Sequence, residues 1–426
     1  KVVKSYQGKS EKSAQHSRKP TDDELAARWI ERYPETAYGL GEFRRYKDGI
    51  WPVVNRDSIM GEISAILSEA KPDGVRPTKT RLDSVLELAR VDISLPDKVW
   101  DSYVEYLPCR NGLLHIPSLK LCKHKPDFYF TSGLDFNYDT NANCPAFKHV
   151  LKTTISEAEP FLQEYAGLCL TVDTSHELAS WLYGPPESGK STILLGLMAM
   201  LGTRSDVLDL DDVQRGRFGL TNLAGKTLMV SFEQPGRKTH STNKLNAIIS
   251  GEPVRIDIKF RDPYTIIPRA KLAWAMNKLP IINSVNNGLL RRIKVINFPG
   301  IPADQKEITL KEKVKKEGAG ILNWALEGLA RLQQRGYFNP PKCVLDATSN
   351  FKEKIDIPNL FVREVCAIGL KYSVQSSILY SAYKDWCSQN GYSFLTVTSV
   401  ADEWQRLGFV RYGSNGTTRY RGVQLK

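Results

Sequence analysis

Apolar positions change their period along the chain, and each change marks an element. Residues 1–20 have no period: Lys1, Lys4, Lys9, Lys12, Arg18 and Lys19 surround the acid Glu11, which reads as a basic flexible tail. Thr21-Asp22-Asp23-Glu24 is an N-cap followed by acids in a first turn, favoured by the helix dipole, and helical spacing continues through Trp29 and Tyr33. Tyr38 to Val54 reads as a short hairpin turning at Asp48-Gly49. Helical stretches are predicted over 59–70 and 78–89, then irregular strand and turn over 107–126, centred on Asn111-Gly112-Leu113-Leu114. Residues 21–143 thus form an expected small α+β domain.

From Cys144 to Thr171 the period is helical again. The apolar run Ala179-Ser180-Trp181-Leu182-Tyr183 then enters a glycine-bearing loop and an apolar helix, and strands alternate with helices to about Phe298. That alternation predicts an α/β layer with a parallel sheet. Gly320 to Gln334 carries Ile321, Leu322, Ala325, Leu326, Leu329 and Leu332 at amphipathic helical spacing. Residues 375–426 read as two helices followed by a short hairpin.

The 426 residues allow about three domains. A hydrophobic fraction of 41% and a charged fraction of 25% are those of a globular chain; they exclude a disordered protein, a collagen and a small disulfide scaffold. Lys and Arg total 59 against 47 Asp and Glu, a net charge of +12, and the pI is near 9.2. That excess favours polyanionic partners. The seven cysteines form no CxxC pair and no zinc spacing with histidine, so reduced structural thiols are expected. No apolar run reaches the ~18 residues that cross a bilayer, and no secretory signal stands at the start. A cytoplasmic location, in a bacterial host or an equivalent nucleic-acid compartment, is expected. The chain starts at Lys1 rather than Met, so it reads as trimmed or as part of something longer.

The sharpest chemical signal is Gly184-Pro185-Pro186-Glu187-Ser188-Gly189-Lys190-Ser191, followed by Thr192. It matches the phosphate-loop pattern G-x-x-x-x-G-K-S/T, with an apolar strand before it and a helix after it. Glycines let the backbone wrap phosphates, and successive N–H groups and the helix N-terminus face the negative charge. Lys190 would reach the β and γ phosphates, and the Ser191 hydroxyl would hold Mg²⁺. ATP and Mg²⁺ are the cofactors implied.

Such a loop needs an acid on a neighbouring strand tip. Lys226 to Phe232 is an apolar strand running into Glu233, with metal ligand and general base both open as its role. Lys271-Leu272-Ala273-Trp274-Ala275-Met276-Asn277 is a further apolar strand, ending in an amide that can orient an attacking water or simply form a turn. Arg291-Arg292 follows, suited to an arginine finger reaching a neighbouring subunit's phosphates; the pattern does not separate the two.

These segments, with Gly288 to Pro299, resemble the superfamily 3 helicases of the AAA+ class, and most of all the phage, plasmid and poxvirus primase-helicase family. Cys109 to Thr131, Cys144-Pro145-Ala146-Phe147 and Gln163-Glu164-Tyr165-Ala166-Gly167 extend the resemblance outward. It implies a ring, hexameric in the family, that hydrolyses ATP at subunit interfaces and draws single-stranded DNA through its pore. It implies a pore hairpin at 249–261, where Arg255, Lys259, Phe260 and Arg261 are the DNA-binding candidates. It also implies a winged helix at 375–426, with a recognition helix at 398–407 and a wing carrying Arg411, Arg419 and Arg421.

The domain reading is therefore a tail (1–20), an α+β domain (21–143), an AAA+ ATPase (144–300), a helical lid or connector (301–374) and the winged helix (375–426). The expected function is an ATP-dependent replicative DNA helicase of a mobile element. Its partners would be single-stranded and forked DNA, further copies of itself, and a primase or replication initiator, with no membrane. Two alternatives stand beside it: an ATP-assembled DNA-binding origin or loading platform, and the helicase half of a primase-helicase. No primase acid cluster is visible in residues 1–140.

Overall fold

The computed structural model describes residues 18–215, 220–233, 238–239, 243–256, 264–278, 281–282, 287–301, 307, 309–392, 394–414 and 416–426. It divides into two compact units: residues 1–102 with 125–131, and residues 103–124 with 132–426.

In the smaller unit, α1 (Asp22–Arg32) begins at a capping box, in which the Thr21 hydroxyl accepts from the Glu24 N–H and the Glu24 carboxylate accepts from the Thr21 N–H. β1 (Thr36–Gly39) pairs antiparallel with β2 (Glu42–Arg45). That hairpin turns at Leu40-Gly41, with φ 54° and 76°, and β2 then runs on into a second turn at Asp48-Gly49, where the sequence places one. Asp48 and Gly49 also have positive φ, and they close the bridges Lys47–Ile50 and Arg44–Val53, with the Val54 N–H donating to the Phe43 carbonyl at 2.8 Å. Either dipeptide can supply the left-handed geometry; the longer ladder, Thr36–Arg45 to Gly39–Glu42, is closed by the first. Helices α2 (Arg56–Glu69) and α3 (Lys79–Asp92) bury Ile59, Ile63, Leu67, Val85 and Leu86 against Leu25 and Trp29 of α1.

The larger unit opens with a small antiparallel sheet of β3 (Tyr106–Cys109), β4 (Gly112–His115) and β5 (Lys120–Cys122). Helices α4 (Pro145–Thr154) and α5 (Glu159–Cys169) follow, then the alternation that builds the main sheet. Its elements are β6 (Ala179–Tyr183), α6 (Lys190–Leu201), β7 (Ser205–Val207), α7 (Leu210–Arg215), β8 (Leu228–Ser231), β9 (Lys238–Thr239) and α8 (Asn243–Ser250). There follow β10 (Val254–Ile256), β11 (Tyr264–Ile266), β12 (Lys271–Met276), β13 (Ile281–Ile282), α9 (Asn287–Arg292) and β14 (Ile293–Asn297).

Five strands form the main sheet in the order β14-β6-β12-β8-β7, and every pairing is parallel. Every residue of β12 is buried, as expected of a strand covered on both faces. One face packs on α4, α5 and α6 through Phe147, Leu162, Tyr165, Leu194 and Leu197. The other packs Trp181 and Trp274 against Leu245, Ile248 and Phe351. Helices α10 (Leu310–Lys315), α11 (Gly318–Arg335) and α12 (Lys342–Ile355) follow. Helices α5 and α11 meet backbone to backbone: a Cβ on Gly167 would lie 2.5 Å from the Leu329 nitrogen, and one on Gly328 would lie 2.3 Å from the Gln163 carbonyl.

The chain ends with α13 (Ile357–Val365), β15 (Cys366–Gln375), α14 (Ser376–Gln389), α15 (Val397–Arg406), β16 (Val410–Ser414) and β17 (Thr417–Leu425). β15, read from sequence as helical connector, is a strand that pairs with β17, which pairs in turn with β16. Its bulge between Ile368 and Ser373 exposes Leu370 and Lys371, and that break hides the strand's alternation. Cysteines 109, 144, 169, 366 and 387 are buried free thiols, and burial pushes Cys109 and Cys169 up to about 12. Among the described residues, no helix is long and apolar enough to cross a membrane.

Candidate functional site

The loop between β6 and α6 is the centre of the candidate site. A Cβ on Gly184 would stand 2.3 Å from the Phe298 carbonyl, so glycine lets the chain leave β6 flush against the residue that follows β14. Pro185, Pro186 and Glu187 form an exposed crest, on which Glu187 holds φ 59°. Gly189 has φ 91° and is the N-cap of α6, and no side chain caps that helix. Its carbonyl accepts from the Thr192 and Ile193 N–H groups at 3.0 and 3.1 Å. Twelve residues of helix thus begin at the loop with a free positive dipole end.

Lys190 is 5% exposed. Its ammonium donates to the Gly184 carbonyl at 2.8 Å, the Pro185 carbonyl at 2.5 Å and the Ser188 hydroxyl at 3.0 Å. Burial holds it below the ordinary lysine range, and the nearby Glu233 carboxylate acts in the opposite direction. Ser188 and Thr192 are buried, whereas Ser191 is half-buried at the start of the helix.

Parallel register brings the other two groups to the same edge. Met276 pairs with Tyr183, and the Gly184 N–H donates to the Met276 carbonyl at 3.3 Å, so Asn277 emerges beside the loop. The Asn277 side-chain amide donates to Glu233 Oε1 at 3.4 Å. Lys190, Glu233 and Asn277, from three different strand ends, therefore converge. Asp209 belongs to the same edge: its carboxylate accepts from the Ser231 hydroxyl at 2.5 Å. Sequence reading missed it, although the acid run Asp209, Asp211, Asp212 after a short strand was a usable signal.

Arg291 and Arg292 lie elsewhere. They end α9 and precede β14, whose Ile293 pairs with Ala179 at the start of β6, while Asn297 pairs with Tyr183 at the loop end. Roughly 13 Å of strand separates the pair from its own loop. Both arginines meet Glu177, which the sequence reading also missed. Arg292 donates to it through Nε at 2.9 Å and to the Gly288 carbonyl at 3.0 Å. Arg291 reaches it at 3.2 Å. The Arg292 side chain is 10% exposed and that of Arg291 is 67% exposed, so the structure separates a buried arginine from a projecting one.

A cavity of about 530 Å³ opens beside the loop. Thr154 to Ala158, Tyr183, Asn297, Pro299 and the α12 residues Cys343, Asp346 and Asn350 line it.

The hairpin candidates divide. β10 and β11 pair antiparallel, Val254 with Ile266 and Ile256 with Tyr264. Arg255 is exposed between buried Val254 and Ile256. Lys259, Phe260 and Arg261 lie outside the described residues. The terminal candidates divide as well. Arg411 pairs with buried Tyr420, whereas Arg419 and Arg421 sit on the alternate positions of β17.

Comparison with known proteins gives three kinds of likeness. The family described as "D5 N terminal like" matches residues 26–156, and "Family of unknown function (DUF5906)" matches residues 182–292. A protein of Acanthamoeba polyphaga mimivirus named "Putative helicase" is 22% identical over 284 residues, 60% of this chain. The chain spans 29% of that relative's length. Two solved apo structures of the NrS-1 C-terminal region share the fold at a TM-score of 0.51 and 10% identity. Each alignment covers 95% of this chain, and 99% and 100% of the respective structures.

Proposed function

We propose that this chain is the ATP-hydrolysing motor of a DNA helicase of the primase-helicase kind, working as a ring of identical subunits. The D5-type match and the helicase-named viral relative support that class. The observation that carries the reading is the convergence of Lys190, Glu233 and Asn277 at one edge of a parallel sheet, beside an uncapped helix N-terminus.

The residues fit a nucleotide with a divalent cation. The loop amides and Lys190 would hold the β and γ phosphates, Ser191 and Glu233 would hold Mg²⁺, and the adjacent cavity has room for the nucleoside. Mg²⁺, when bound, supplies charge neutralisation on the phosphate oxygens. Lys190 now spends its ammonium on two carbonyls and a hydroxyl. Phosphate offers it charged acceptors in their place, and charge-assisted bonds are roughly twice as strong. Glu233 is positioned to accept a proton from water, and Asn277 holds its Oε1 in place. The projecting Arg291 completes the site of the next subunit, since it stands at the far end of its own sheet.

Lys190→Ala is the test. With single-stranded DNA present, the variant should hydrolyse no ATP and displace no strand from a fork. Persistent hydrolysis would remove the site assignment, and hydrolysis without displacement in the unaltered protein would remove the helicase reading.

A further inference from the structure

The terminal unit holds positive charge where a groove-reading helix does not need it. Helix α15, the segment read from sequence as a recognition helix, offers little to phosphate. Its one basic residue, Arg406, gives both bonds of one guanidinium nitrogen to Asp356 at 2.7 Å and a further bond to Glu403. Exposed Asp402 adds negative charge to the same helix.

The sheet is arranged the other way. Ser373, Arg421 and Val410 pair across β15, β17 and β16, as do Gln375, Arg419 and Tyr412. The intervening row is Val374, Tyr420 and Arg411, of which Val374 and Tyr420 are buried in the core with Leu379, Tyr383 and Trp404. Alternation therefore puts the first two rows on the outer face, away from the helices. On that face the Arg421 guanidinium lies 5.1 Å from the centre of the Tyr412 ring. Arg419 donates to the Ser373 hydroxyl at 3.1 Å. Neither arginine takes part in an ion pair among the described residues. A hydrogen bond with Ser373, then Arg419 and Arg421, hold the Tyr412 hydroxyl below its ordinary range. Val410 is 60% exposed on the same face, and the bulge in β15, on the far side of β17, presents Lys371 and a Leu370 that is 95% exposed.

We propose that this outer sheet face, rather than α15, is the nucleic-acid contact of the terminal unit, and that it takes single-stranded DNA. Two guanidiniums with no carboxylate partner among the described residues, on one flat face, supply phosphate contacts and are held in place by a tyrosine and a serine. An aromatic ring beside them and the exposed apolar Val410 suit unstacked bases, which a duplex hides. The inference rests on the DNA-handling part of the proposed function and is independent of the ATP site.

The test is fluorescence anisotropy of a labelled oligo-dT on the full chain without nucleotide, as a function of salt. Each lost phosphate contact lowers the single-strand salt slope by about 0.7, so Arg419→Ala/Arg421→Ala should lower it by about 1.4 and weaken binding about 25-fold at 0.1 M salt. Tyr412→Ala should weaken binding further than Tyr412→Phe, which keeps the ring. Thr398→Ala/Gln405→Ala on exposed α15 positions should leave the affinity and slope unchanged. An unchanged slope in the arginine variant overturns the proposal, as does a loss confined to the α15 variant. Tighter binding of a duplex or of oligo-rU through the same arginines overturns the choice of strand. DNA-independent ATP hydrolysis is read in parallel: its presence in the arginine variant shows that the protein is folded, and its absence from every variant and from the parent is failure of the ATPase reading alone.

Discussion

Arg291 and Arg292 are adjacent in sequence, yet the structure expects opposite consequences from their removal. Arg292→Ala deletes two contacts with Glu177 and one with the Gly288 carbonyl, from a side chain 10% exposed. Leaving the Gly288 carbonyl without its donor, and the half-buried Glu177 carboxylate with Arg291 alone, costs about 2 kcal/mol. The larger unit has an unfolding entropy for which each kcal/mol lowers Tm by about 1–2 °C, so the expected loss is about 2–4 °C. Arg291→Ala deletes one contact from a side chain 67% exposed and leaves Glu177 paired. An exposed pair of this kind is worth about 0–1 kcal/mol, so Tm should barely move. If Arg291 reaches a neighbouring subunit's phosphates, its loss should lower kcat for ATP about 1,000-fold or more.

Thermal denaturation and steady-state hydrolysis, measured on both variants, separate the roles. Mixing supplies the third arm. Lys190→Ala subunits keep Arg291, and Arg291→Ala subunits keep the loop, so a head-to-tail ring formed from equal parts regains activity at roughly a quarter of its interfaces. The reasoning fails if Arg291→Ala hydrolyses ATP normally, if its Tm falls as far as that of Arg292→Ala, or if mixing restores nothing.

Further outcomes follow from particular contacts and from their absence. Asn277→Ala removes the amide that holds Glu233 Oε1, and should lower kcat about 100-fold while leaving KM for ATP near its original value; initial-rate kinetics decide this. Gly328→Ala forces a methyl to 2.3 Å from the Gln163 carbonyl and should cost about 1–3 kcal/mol in urea unfolding. Gly61→Ala, in the middle of α2 with nothing within 4 Å, should instead stabilise by about 0.5–1 kcal/mol. Burial holds the Lys271 ammonium down to about 7, against an ordinary value of 10.5. Between those values the unfolded chain binds the extra proton, so this lysine's contribution makes stability rise with pH, by at most about 1.4 kcal/mol per unit. Urea midpoints at pH 7.5 and 9.5 test it: the difference between the parent and Lys271→Met should shift with pH in that direction, and a constant difference would sink the idea.

What was legible in the sequence was local. The run Ala179 to Tyr183, the glycines at 184 and 189 and the apolar helix behind them declare strand, loop and helix without reference to any distant residue. Glu233 and Asn277 were legible as strand-end polar groups, but their meeting depends on parallel register between strands far apart in sequence. Glu177 was not legible at all. It is an acid in a loop, and its role arises only when α9 brings Arg292 to it across 115 positions. The terminal sheet was half legible: β16 and β17 form a hairpin with a local turn, while β15 is interrupted by its bulge and half exposed. Arg406 was half legible for the same reason. Its charge was visible, but the pairing with Asp356 that cancels it was not.

Sheet polarity ties these observations together. In a parallel sheet every strand ends on the same edge, so any groups gathered at strand ends converge there, as Lys190, Glu233 and Asn277 do. Residues that precede strands gather at the opposite edge, as Glu177, Arg291 and Arg292 do. No side chain spans the sheet, so a single copy of this fold cannot bring its projecting arginine to its own phosphate loop. A second copy placed head to tail can. The strand that ends at Asn277, β12, begins a few residues after the hairpin of β10 and β11, and it is buried along its whole length between β6 and β8. A buried strand with hydrogen bonds on both sides moves as a unit or not at all. In the proposed motor, the hairpin that would touch DNA and the amide that holds the acid are thus joined by a fully buried strand of the sheet. In the same proposal the arginine that completes the site comes from outside it, which would make subunit contact, rather than nucleotide binding alone, the condition for turnover.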